Sequence, residues 1–285
     1  MNTHRQDIQI KKVWAVEQEI LDVIHQVCIS NGLRYSLAYG TLIGAVRHGG
    51  FIPWDDDIDL VMPREDYEML LAIWDQAAPE EYILQNTRTD PDFSQNFTKI
   101  RKDHTTYLQS DSERSKKYHK GIFVDVFPGD RVAPGKAGKK LQYIACAINL
   151  LYHRGHPSGA GGVIGLIEKF LLKIPVSKFS QYRERSEKWI RHWNGNNSAQ
   201  YVFPSTLEFS RKYHPSDLFE KMQTIEFSGK TYQCVSDPDS MLRSDYGDYM
   251  ELPPEEDRAW KHHPIVIDFE HNYEELISEA SSNHQ

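Results

Sequence analysis

YGTLIGAVRHGGFIPWDDDIDL, residues 39–60 of the 285-residue chain, decides how the rest is read. Gly40-Thr41 stands where an extended segment turns into a short helix over 42–47, which Gly49-Gly50 ends. Exposed N–H groups at such a helix start form an anion site suited to phosphate, which makes Gly40 and Thr41 candidate substrate binders. Downstream, 58–62 reads as a short buried strand, and strand alternation places Asp57 and Asp59 on one face. Two carboxylates held close repel unless a cation lies between them, and an oxygen-only pair favours Mg²⁺ or Mn²⁺. A phosphate cradle beside a divalent-metal pair is the equipment of phosphoryl or nucleotidyl transfer. A solvated acidic loop is the competing reading, and Trp54, Ile58 and Leu60 argue against it because they call for burial.

Outward from this stretch, Val13, Val16, Ile20, Ile24 and Val27 at three-to-four spacing predict an amphipathic helix over 11–31, and 33–39 reads as a strand. Pro63 opens a helix to about 77, and short strands are expected at 82–85, 97–102 and 122–127. The last of these, GIFVDVFP over 121–128, carries a lone acid in an apolar run. Such a charge is costly unless paired or metal-bound, so Asp125 becomes a third site candidate; an acid capping the turn at Pro128-Gly129 is the alternative. Residues 136–193 look helical, and 224–235 reads as a hairpin turning at Ser228-Gly229-Lys230. The expected organisation is an α+β protein: an α/β core over 10–130, a helical insertion over 131–200, and an α+β segment over 201–270 that closes the catalytic domain.

Composition narrows the function. The net charge of −8 argues against a general nucleic-acid binder, and 12% aromatic residues argue against disorder. Cys28, Cys146 and Cys234 are too scattered for a zinc knuckle or a disulfide framework, so a reducing, cytoplasmic setting is expected. The polar first twelve residues hold no signal-peptide core. The apolar stretches 141–152 and 163–174 are too short to span a bilayer; they read first as core helices and second as membrane-surface contacts. Charge is unevenly placed: 51–92 is acidic by −10 and 93–143 basic by +6. That basic segment, from Lys99 to Lys140, suits an anionic donor or serves to balance its acidic neighbour.

GTLIGAVRH at 40–48, FIPWDDDID at 51–59, GIFVDVFP at 121–128 and YGDYMELPP at 246–254, followed by His262-His263, together resemble the LicD family, which includes fukutin and fukutin-related protein. The resemblance spans about 15–265 and implies a nucleotidyltransferase-like mixed sheet flanked by helices. It further implies transfer of a phospho-alcohol from a CDP-activated donor to a hydroxyl of a glycan, typically phosphocholine from CDP-choline to teichoic acid, lipooligosaccharide or capsule in bacteria. A lipid-linked glycan acceptor would bring the protein to the inner face of the membrane. In the animal relatives the matching acids are Asp55, Asp57 and Asp59, so Asp55 joins Asp57, Asp59 and Asp125 as metal-ligand candidates and Asp56 is left as a spectator.

On this reading Asp57 and Asp59 hold the metal across the diphosphate, and Asp125 receives the acceptor proton. Arg47 adds a charge-assisted bond, and His48 and His263 are taken as substrate contacts. Choline offers no hydrogen-bond donor and calls for aromatic faces, for which Trp54, Tyr246, Tyr249 and Trp260 are available. Ribitol or glycerol phosphate would call for polar partners instead. NMP transfer from an NTP, and glycan binding without catalysis, are the alternatives from other classes.

Overall fold

The computed structural model describes residues 3–196, 198–260 and 264–282. In α1 (Thr3–Ser30), Val13, Ile20, Ile24 and Val27 form the expected stripe and bury it in the main core. The strand expected at 33–39 shrinks to β1 (Ser36–Leu37), which pairs with Val61 and Leu60, and Ala38 donates its amide to the Asp59 carbonyl (2.9 Å) before the chain turns into a helix. The helix expected at 42–47 starts earlier, as α2 (Tyr39–His48), so Gly40 and Thr41 lie in its first turn rather than ahead of it.

The chain continues through β2 (Asp59–Pro63), α3 (Arg64–Ala77), β3 (Tyr82–Gln85), β4 (Thr98–Lys102), β5 (Thr106–Leu108) and β6 (Phe123–Arg131). Next come α4 (Gly135–Arg154), α5 (Gly162–Leu171), α6 (Phe179–Arg191), β7 (Gln200–Val202) and β8 (Tyr213–Pro215). The last elements are β9 (Gln223–Phe227), β10 (Lys230–Cys234), α7 (Pro238–Tyr246), β11 (Val266–Asp268) and α8 (Tyr273–Ser282).

The main sheet has the order β1-β2-β6-β4-β3, with β7 and β8 added alongside β6. β2 and β6 run parallel while β1–β2, β4–β6, β3–β4 and β6–β7 are antiparallel, giving the mixed α/β architecture that the sequence predicts. β6 runs past the expected end at 127: Pro128 and Gly129 stay in register with Met62 and Pro63, and Asp130-Arg131 pair with β7. A side chain at Gly129 would strike the Phe203 ring. In the β9–β10 hairpin, Ser228 and Gly229 both take positive φ (51° and 77°), so the turn is two residues long and Lys230 already belongs to the strand. The β5–β11 pair was not foreseen, since three residues near the C-terminal end carry too little pattern to announce a partner so distant in sequence.

The helical segment is tied to the sheet through a buried ion pair. Arg64 grips Asp130 at both oxygens (2.9 and 2.7 Å), Asn194 donates to the same carboxylate, and Glu187 of α6 reaches Arg64 at 3.2 Å. Breaking one side of such a buried pair costs about 3–5 kcal/mol, because the other charge is left unmet. The 163–174 stretch is not core as first expected. Its apolar side chains point outward, because the faces that α5 buries are those of Gly165 and Glu168.

His153, near the end of α4, is buried, and burial, aided by Arg183, pushes its imidazole down to about 3 against opposing bonds to the Ser94 and Gln95 backbone. The folded protein therefore keeps His153 neutral where the unfolded chain, titrating near 6.5, takes up a proton. Its contribution is complete above pH 6.5 and declines as pH falls toward 3, by about 1.4 kcal/mol per pH unit. His153→Gln should flatten the stability curve over that range, as read by urea denaturation at several pH values.

Candidate active site

Sheet register builds the site. Asp59 of β2 lies opposite Asp125 of β6, and Asp125 lies opposite Lys99 of β4, so three charged side chains stand in one row on one face. The Lys99 ammonium donates to both Asp125 oxygens, at 2.7 and 3.0 Å, and lies 3.2 Å from the Phe123 ring centre. Burial pushes Lys99 down, and Asp125 opposes that shift. Asp59 is raised well above the carboxylate range, by burial first and then by Asp57, Asp125 and Asp55, with Lys99 pulling the other way.

The acidic loop ahead of β2 is pinned from several sides. Trp14 donates its indole N–H to the Asp55 carbonyl (2.7 Å), and Thr41 Oγ1 accepts from the Asp59 amide (2.8 Å). Tyr107 donates its hydroxyl to Asp56, which is 1% exposed. Asp56 is thus the loop's buried anchor and does not line the cavity that holds the other acids. Thr41 is also buried, and it braces the carboxylate strand instead of reaching toward a phosphate.

The helix-start expectation rests now on Gly40 and Tyr39. The N-cap of α2 is Ala38, whose methyl group caps nothing, and Tyr39 enters the helix at φ 47°. The start of α2 is therefore not capped by its own N-cap side chain, and Tyr39 and Gly40 line the cleft there. A Cβ at Gly40 would collide with the Asp55 carboxylate, so glycine is what lets that acid lie over the helix start.

Asp55, Asp57, Asp59 and Asp125 all line one open cavity of about 830 Å³. The donor set is oxygen-only, and Asp57, Asp125 and Asp55 together raise Asp59, which is the charge excess that a hard divalent cation relieves. Among the described residues no three carboxylate, imidazole or thiol groups are already gathered as a closed coordination shell. The Asp125 carboxylate is instead drawn to Lys99.

The same cavity carries an aromatic run that begins beside the charged row, since Phe127 follows Asp125 by two residues and Phe97 precedes Lys99 by two. Phe97, Phe127, Tyr39, Phe209 and Tyr246 follow one another at ring separations of 4.3, 5.4, 4.7 and 6.0 Å, and all five line the cavity together with Trp54 and Tyr249. These faces accept cations: the Lys212 ammonium lies 4.6 Å from Phe209, and the Arg258 guanidinium lies 5.6 Å from Trp54.

Other candidates are placed differently. Arg47 lines the cavity, yet its guanidinium is engaged by the Tyr249 carbonyl (2.7 Å) and by His48 Nε2 (3.0 Å), so it clamps the 249–251 loop to α2. His48 is exposed, outside the cavity lining, and edge-on to Trp54. Trp260 is outside the cavity lining and acts on the Tyr107 hydroxyl instead. His262 and His263 lie outside the described residues.

Two groups escaped the sequence reading. Lys99 was seen only as part of a basic segment; the signal was a basic residue alternating with Thr98 and Ile100 in a strand. Glu17 sits on the apolar stripe of α1, spaced from Val13 and Ile20 as a core residue would be. It is 2% exposed, and burial together with Asp57, Asp56, Asp55 and Asp125 raises it well above the usual range.

Comparison with known proteins gives the family. A family model described as LicD/FKTN/FKRP, nucleotidyltransferase domain, matches residues 32–138. The lipopolysaccharide cholinephosphotransferase LicD of Haemophilus influenzae is 30% identical over 270 residues, covering 89% of this chain and 97% of that protein. This chain belongs to the LicD family. Within reach of shorter matches are an uncharacterised Rickettsia typhi protein, 42% identical over 66 residues (21% of each chain), and human ribitol 5-phosphate transferase FKRP. FKRP is 57% identical over 35 residues, covering 12% of this chain and 7% of that one. The LicD family model includes the whole row of Asp59, Lys99 and Asp125 and leaves out α1, with Trp14 and Glu17, and the rings beyond residue 200. Among the described residues no helix is long and apolar enough to cross a membrane.

Proposed function

We propose that this LicD-family transferase moves phosphocholine from CDP-choline to a hydroxyl of a cell-surface glycan, releasing CMP. The observation that carries the reading is one cavity lined both by a row of carboxylates and by a continuous run of aromatic rings. Carboxylates suit the diphosphate once a cation is present, and ring faces suit a quaternary ammonium, which can be recognised only by its charge and methyl groups.

In the mechanism, Asp55, Asp57 and Asp59 would hold Mg²⁺ or Mn²⁺, which when bound supplies the positive charge that neutralises the diphosphate. Tyr39 and Gly40, at the α2 start beside Asp55, face the place where a donor phosphate would lie. Phe209, Tyr246 and Trp54 hold the choline, so that phosphorus faces the Asp125 side of the cavity. The acceptor hydroxyl approaches in line with the departing CMP and gives its proton to an Asp125 oxygen, while Lys99 keeps that carboxylate turned inward.

The test is a thermal-shift panel of CDP-choline, CDP-ethanolamine, CDP-ribitol and CDP-glycerol with Mg²⁺, followed by CMP release with a glycan acceptor. CDP-choline should stabilise most, by about 2–3 kcal/mol at a hundredfold excess over its dissociation constant. A shift with CDP-ribitol alone would replace the headgroup assignment, and no shift with any donor would defeat the donor class.

A further inference from the structure

α5 and the turn after it form a surface unlike the rest of the molecule. Val163, Ile164, Leu166, Ile167 and Phe170 are between 52% and 71% exposed, and Val176 is 75% exposed. This is a built arrangement: Glu168 faces inward, taking Arg154 at 3.0 Å and the Ser158 amide and hydroxyl at 2.8 and 2.7 Å, while Tyr152 donates to the Leu171 carbonyl (3.0 Å). The helix is thus held from beneath by its polar contacts and turns its apolar side chains to solvent.

Charge says what covers them. In a chain of net −8, residues 131–183 hold nine Lys or Arg and a single acid, and that acid is the inward-facing Glu168. Lys169, Lys173 and Lys178 interleave with the exposed apolar residues. A ten-residue helix is about 15 Å long, half a bilayer's hydrocarbon core, so it can lie in a membrane interface but not span it. Exposed apolar residues ringed by lysines, with every carboxylate withdrawn, match an anionic bilayer surface.

We infer that the segment 162–178 docks the enzyme on an anionic lipid bilayer, with α5 lying in the interface plane and the lysines at headgroup level. The placement relative to the cleft agrees. A second cavity of about 400 Å³ shares Gln95, Ser205 and Thr206 with the active-site cavity and reaches His153, Arg154 and His156. Arg154 is the residue that holds Glu168, so a groove runs from the carboxylates to the base of α5. That a lipid-linked acceptor enters by this groove rests on the transferase reading above; the docking itself does not.

The experiment is flotation of the full chain with phosphatidylcholine vesicles and with a roughly 7:3 mixture of phosphatidylcholine and phosphatidylglycerol. The protein should float with the anionic vesicles and bind at least about tenfold more weakly to the neutral ones. Leu166→Asp combined with Phe170→Asp should lose at least about tenfold in vesicle binding, with its melting temperature and CMP release to a soluble acceptor unchanged. A wild-type chain that stays with the lipid-free fraction, or a double variant that floats equally well, overturns the docking. So does a concentration-dependent dimer in sedimentation that the double variant abolishes while neither protein binds vesicles. Normal CMP release by a chain that does not float would leave the transferase reading standing.

Discussion

Asp59→Asn, and separately Asp57→Asn, should lower phosphocholine transfer by about a thousandfold or more while raising the melting temperature of the metal-free protein. Both effects come from one cause. Asp59 is raised by its burial and by the neighbouring Asp57, Asp125 and Asp55, so its ionised form is held against their repulsion. A carboxyl raised in the folded state binds protons more readily there than in the unfolded chain. Stability is therefore highest at low pH and is lost as pH climbs from the unfolded value through the folded one. An amide in its place removes that loss at neutral pH, by about 1 kcal/mol, or roughly 2–4 °C for a chain of this size. Mg²⁺ should then stabilise the wild type and leave the asparagine variants nearly unmoved. A variant that keeps near-normal transfer at saturating Mg²⁺ would defeat the metal assignment, and one that merely unfolds would contradict the charge argument.

Lys99→Met should give the second large effect, and a mixed one. Removing the ammonium strands Asp125 in a nearly buried position, at about 3–5 kcal/mol in stability. Transfer should fall by about a hundredfold, because Asp125 loses the contact that orients it. Lys99 is also the cation that pulls Asp59 down, so its loss leaves Asp59 protonated to higher pH and moves the acid limb of the pH–rate profile upward. Pairing Lys99→Met with Asp125→Asn should recover most of the stability, because neither charge remains, and none of the activity. Recovered activity in the double variant, or an unmoved acid limb in the single one, would show that Lys99 serves only the fold.

The acids were legible because local rules apply to them. Asp57 and Asp59 are two apart beside apolar neighbours, and Asp125 is alone in a run of Ile122, Phe123, Val124, Val126 and Phe127, so each announces itself within a few residues. Their arrangement was not legible. That Asp59, Asp125 and Lys99 form one row depends on the register of three strands whose pairing is long-range, and composition does not encode it. The aromatic wall has the same origin: Phe97, Phe127 and Phe209 look like core residues until the fold brings them to one cavity. Residues 163–174 erred in the other direction. An apolar run reads as interior, and only the inward turn of Glu168 shows that its apolar side chains face outward. Thr41 was misread because a hydroxyl at a helix start suits a phosphate and a neighbouring backbone amide equally well.

β6 pairs with β2, β4 and, at its end, β7, so its amides should be among the last in the molecule to exchange with deuterated solvent. The carboxylate row is thus carried by the most cooperative unit of the chain, and partial opening leaves it whole. Local fluctuation can free α5 or the 249–251 loop without dispersing the charges, whereas the row itself disappears only when the whole core opens. Loss of the Asp59, Asp125 and Lys99 row on heating should then follow global unfolding, while turnover, which also needs Phe209, Tyr246 and Trp54 outside this sheet, is the more heat-sensitive quantity.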